Sequence, residues 1–184
     1  MPIIFIKLFI IKTMDFLKIF SKPITKEVIV QIISEIRMQP VEFQKVFDLI
    51  FNENNNIAWR AAWVVDNFSR KNNDCICDKM KVKLMDFSQT VTKDGHLRLC
   101  LSILLNAGLP ANVSGEFINF CFGNILNKKT AVAVKALSVK ILSKICETEP
   151  DLRNELKVVL QNIDIQNYTA GMKSVVKHFF SDFK

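Results

Sequence analysis

The side chains best suited to chemistry in this chain lie between residues 56 and 70, NIAWRAAWVVDNFSR. At helical spacing, Trp59, Trp63, Asp66 and Arg70 fall on one side of a helix, so both tryptophans of the chain share a face with a carboxylate and a guanidinium. Tryptophans beside Arg and Asp are typical anchors of a binding surface. The same indoles are equally able to pack between neighbouring helices, because Trp is usually largely buried. Other reactive residues are sparse. Cys75 and Cys77 form a C-x-C with only His96 and His178 elsewhere in the chain, well short of a zinc signature. His96 precedes an apolar run and His178 lies near the chain end, positions that suit surface or capping residues better than a general base. There is no Gly-rich phosphate loop, no H-E-x-x-H and no nucleophile elbow. The expectation is a protein without catalytic residues, cofactor or metal, in which binding is the function.

The element that positions the tryptophans is an amphipathic helix. Ile57, Ala61, Val64, Val65 and Phe68 sit at offsets 0, 4, 7, 8 and 11 and form its buried stripe. The stripe returns three times. Leu97, Leu101, Leu104 and Leu105 fill the first four offsets before Gly108 stops the helix; Val134, Ser138, Ile141, Leu142 and Ile145 fill all five, as do Met172, Val176, Phe179, Phe180 and Phe183. The starting residues are 40, 37 and 38 positions apart, and a further helical pattern lies ahead of each copy, at residues 41–53, 75–91, 114–126 and 151–163. A period near 38 residues containing two helices marks an α-solenoid, in which each hairpin buries its apolar face only against its neighbours. The spacing therefore predicts an all-α fold of about four helical hairpins. Turn chemistry supports the boundaries: the run 52–56 (NENNN) carries a capping Asn at its end, and Ser114 is a candidate cap for the helix that follows.

Composition agrees. Only five Gly and five Pro among 184 residues leave little room for the turns of an all-β fold, and 49% apolar content suffices for one well-buried domain. The five cysteines are odd in number and mostly set in apolar helical pattern, as expected for reduced thiols in a cytoplasmic protein. Residues 1–13, MPIIFIKLFIIKT, are too short for a membrane span, which needs about 20 apolar residues, and lack a signal-peptide cleavage site. They are read as an extension, with Met14 as a candidate initiator and residues 14–184 as a single repeat domain.

The aliphatic–basic pairs Leu97-Arg98, Val134-Lys135 and Met172-Lys173 resemble the second-helix motif of the HEAT and armadillo-like repeat superfamily, over residues 41–184. The first copy departs, with Ala58 after Ile57 and Arg60 displaced by two. The resemblance implies a superhelical scaffold that binds another macromolecule on its concave, second-helix face. Short bacterial HEAT-like chains with an AWRAAWV-type helix carry an adenylosuccinate lyase label in some cases, yet the Ser-rich, Met-Pro-Lys loop of that lyase is missing here. DNA alkylation-repeat glycosylases are also HEAT-like and cradle a damaged base with Trp, a carboxylate and a basic residue. Trp59, Trp63, Asp66 and Arg98 supply the types, although only Trp63 lies one turn from Asp66.

Carrying the offsets of the tryptophan face through the later copies gives the candidate binding surface: Trp59, Trp63, Asp66 and Arg70, then Leu99, Ile103 and Asn106, then Ala136, Lys140, Ser143 and Glu147, then Ser174, His178 and Ser181. The formal charge of +7 is unevenly shared. The second helices hold nine basic residues against four acidic, while the first helices reverse the balance, so the inner row is the basic one. A protein partner with an acidic segment is the expected ligand, with a nucleic-acid backbone as the alternative.

Overall fold

The computed structural model describes residues 14–37 and 39–183; the extension expected at 1–13 lies outside them. Among the described residues there are ten α-helices and no strand. Two elements lead, the short α1 (Phe16–Phe20) and α2 (Lys26–Arg37). Four hairpins follow: α3 (Pro40–Asp48) with α4 (Asn55–Ser69), α5 (Asp78–Ser88) with α6 (Asp94–Ala107), α7 (Gly115–Leu126) with α8 (Val132–Ile145), and α9 (Asp151–Asn162) with α10 (Ala170–Asp182). The second helices pack in sequence, α4 on α6, α6 on α8 and α8 on α10, which makes the inner row of an α-solenoid. No helix among the described residues is long and apolar enough to cross a membrane.

Local chemistry explains the starts and stops. Asn54, not Asn56, caps α4, its Oδ1 accepting from the backbone N–H groups of Asn56 and Ile57 at 3.0 and 3.4 Å. The helix begins earlier than the asparagine run suggests because this cap leaves Asn55 and Asn56 free to enter the first turn. Ser114 caps α7 as expected, accepting from Phe117 N–H at 3.2 Å. Gly108 ends α6 at φ +76°, a backbone region that side-chain-bearing residues avoid. The core stripes on α4 and α8 are buried at every predicted offset.

Basic side chains close several carbonyl ends of helices. Arg60 Nη1 donates to Phe20 O at 2.7 Å, tying the end of α1 to α4. Arg153 donates to Cys146 O at 3.2 Å behind α8. Lys135, 2% exposed, donates to both Ile125 O and Asn127 O at 2.7 Å and so closes the end of α7. The unsatisfied carbonyls and negative dipole of a helix C-terminus favour a cation there. The basic residue of the aliphatic–basic pair is thus a cap within its own hairpin in the third copy, while Arg98 and Lys173 in the same position are exposed.

Candidate functional site

The tryptophan face is less open than its residue types suggest. Trp59 and Trp63 are half-buried, tilted against each other with ring centroids 5.3 Å apart at 35°, and packed on the core. The amino end of α6 comes close to the first indole: a Cβ at Gly95 would stand 3.6 Å from Trp59 Nε1. Asp66 is 3% exposed and fully engaged. Its carboxylate accepts from Arg70 Nη2 at 2.9 Å and from Asn106 Nδ2 at 3.3 Å, while the same amide donates to Ser69 Oγ at 3.1 Å. This cluster stitches α4 to α6. A buried carboxylate must be paired and hydrogen-bonded, and here both requirements are met inside the protein. The carboxylate that the glycosylase resemblance calls on is therefore engaged by Arg70 and Asn106.

Leu99 and Ile103 leave the candidate surface altogether. At 1% and 0% exposure they belong to the core, because α6 packs on α4, α5 and α8 and is apolar around most of its circumference. The exposed line of α6 runs through Arg98 and the half-buried Ser102 and Leu105, one position earlier than the offsets predicted. His96 is also corrected: it is buried, its ring set edge-on to Phe87 at 5.5 Å, with Nε2 lacking a hydrogen-bond partner, and burial lowers its pKa. As the third residue of α6 its side chain is carried into the packing between α5 and α6 and away from the loop.

Lys140 and His178 are exposed as expected, and both line a groove on the inner row. The groove has two connected depressions sharing Lys140, Gly171 and Val175, of about 280 and 480 Å³. Its volume comes from small side chains, Ala133 and Ala136 on α8 facing Gly171 on α10. Leu137 and Val175 add apolar surface, and Ser102, Ser143 and Ser174 add hydroxyls. Among the described residues no ion pair engages Arg98 or Lys140, whereas Lys144 is paired with Glu147 at 2.7 Å. Asp182 is the acidic residue at the far end. Ser102, Leu137 and Val175 were not singled out by offset reasoning, since they lie one position away from the projected line.

The described residues contain no cluster of three or more His, Cys, Asp or Glu able to hold a metal. Cys100 and Cys121 are buried thiols that burial pushes up to about 12, and burial raises Cys146 as well, so none of the three suits nucleophilic chemistry. Residues 16–183 match the family model described as HEAT repeat domain. No curated protein and no solved structure matches the chain.

Proposed function

The chain belongs to the HEAT repeat domain family, and we propose that residues 14–184 act as one non-enzymatic scaffold holding an acidic segment of a partner protein in the groove between α6, α8 and α10. The observation that carries this reading is the pair of unneutralised cations, Arg98 and Lys140, beside a groove floored by Ala136, Leu137 and Val175. Apolar floor and cationic wall together suit a peptide whose acidic side chains flank an apolar one. Trp59 and Trp63, half-buried beyond Arg98 along the inner row, extend the surface by their exposed edges. Asp66 and Arg70 support that surface by fixing α4 against α6, and Leu99 and Ile103 support it from the core.

A photo-crosslinking residue placed at Leu137 tests the site in the native cell extract. Captured protein should present an acidic segment to position 137, and the double substitution Arg98→Glu/Lys140→Glu should abolish capture without lowering the melting temperature. Capture that survives the charge reversal refutes the reading. Binding whose log-log salt slope reaches several units, as for a duplex that sheds several counterions, would favour a nucleic acid instead.

A further inference from the structure

A further depression lies outside the groove, at the edge of the solenoid where the loop after α6 meets the turn between α8 and α9. It holds about 590 Å³, within the range of ligand-binding clefts. The positive-φ turn at Gly108 swings the chain out of α6, and Leu109 and Val113 of that loop then face Ile118 of α7, Ile145 at the end of α8 and Leu152 of α9. The lining is apolar, but its rim is not neutral. Glu147, Glu149 and Asp151 line the cleft within five residues of sequence, and the one cation lining it, Lys144, is already bound to Glu147 at 2.7 Å. Among the described residues no ion pair engages Glu149 or Asp151. Asp151 opens α9, where the helix dipole offsets part of its charge, so Glu149 carries most of the uncompensated field.

This local sign is the reverse of the chain as a whole, which carries +7. It is also the reverse of the inner groove, and the Lys144–Glu147 pair lines both depressions and forms the wall between them. A cation with no apolar portion would leave the floor exposed, and an apolar ligand would gain nothing from the two exposed carboxylates beside it. A ligand with a single charge would satisfy one rim carboxylate and leave the other. We propose that this cleft docks a linear peptide segment of a partner protein, seating an apolar side chain on Leu109, Ile118 and Leu152 with Lys or Arg residues beside it facing Glu149 and Asp151. The scaffold then has two docking places of opposite charge preference, an acidic segment along the inner row and a basic one at the edge. The edge site stands whether or not the groove binds its own segment.

The test is a random dodecapeptide display library panned on the full chain, with recovered peptides synthesised and titrated by fluorescence anisotropy. Recovered sequences should place Lys or Arg next to an apolar residue. Their affinity should fall about tenfold for Glu149→Lys/Asp151→Lys, since each reversal replaces an attraction with a repulsion and a tenfold change needs only about 1.4 kcal/mol in total. Arg98→Glu/Lys140→Glu should leave it unchanged, and failure of the groove reading would show in the crosslinking experiment and not in this one. Both rim residues are exposed, and coincident melting curves check that the variants fold. Peptides lacking basic residues, affinity indifferent to the rim reversal, sensitivity to the groove reversal instead, or no enriched peptide at all would each overturn the proposal.

Discussion

Lys135→Met separates a structural cation from the surface cations that share its place in the repeat. Methionine keeps the length and packing of the buried stem and removes the ammonium that donates to Ile125 O and Asn127 O, both at 2.7 Å. The ammonium also lies 5.8 Å from the centroid of the Tyr168 ring, linking the third hairpin to the fourth. Hydrogen bonds to a charged group contribute about 1.5–3 kcal/mol each, and the desolvation of a buried ammonium offsets part of that sum, which leaves a net loss of about 2–4 kcal/mol. Domains are stable by only about 5–15 kcal/mol, so the effect should be large. With a urea m-value of about 2 kcal/mol/M, the midpoint should fall by about 1–2 M. Trp59 and Trp63 provide the fluorescence signal. Arg98→Met and Lys173→Met, at the same repeat position but exposed, should each stay within about 0.5 kcal/mol of the parent. A Lys135→Met loss below about 1 kcal/mol, or equal losses in all three variants, would refute the assignment of this residue as the cap of α7.

Trp63→Ala should cost about 2 kcal/mol in the same unfolding assay, below the 3–5 kcal/mol of a fully enclosed indole, because the side chain is half-buried. In a native thiol titration with a disulfide reagent, Cys75 and Cys77 should react rapidly and Cys100, Cys121 and Cys146 only on unfolding, since the last three are buried; a third fast thiol would contradict the packing. For His96, burial lowers the folded pKa beneath the ordinary 6.5, so the unfolded chain takes the proton more readily. The stability tied to a neutral His96 is therefore complete above about pH 6.5 and declines as pH falls below it. His96→Phe should flatten that part of the melting-temperature profile, and an unchanged slope would show that another group governs it.

The repeat and its core were legible because the physics behind them is periodic. A helix that buries one stripe against neighbours must place apolar residues at offsets 0, 4, 7 and 8, and a chain that stacks such helices must repeat the stripe at constant intervals. The copies that start at Ile57, Leu97 and Met172 satisfy both conditions, the copy at Val134 does so except for Ser138 at offset 4, and all four starting residues are buried. The residues that failed lie where the repeats are unequal. Offsets carried from α4 reach the exposed Lys140 and His178 on α8 and α10 but land on Leu99 and Ile103 within α6, the helix covered by α4, α5 and α8 together. Their apolar character was itself the sign, since a helix apolar all round has no solvent face along that line. Asp66, Lys135 and His96 needed tertiary knowledge, because a charged or titratable residue on a helix looks the same whether its partner is water, the carbonyl end of another helix or nothing. The groove and the edge cleft were hidden for a further reason. Periodicity reports where surfaces meet, whereas a cleft forms where filling fails: at Ala133, Ala136 and Gly171 for the groove, and at the irregular turn after Gly108 for the edge site. In a stacked helical repeat the sites open to a ligand are thus sought among the departures from the repeat, and the residues that obey it most closely are the ones least able to bind anything.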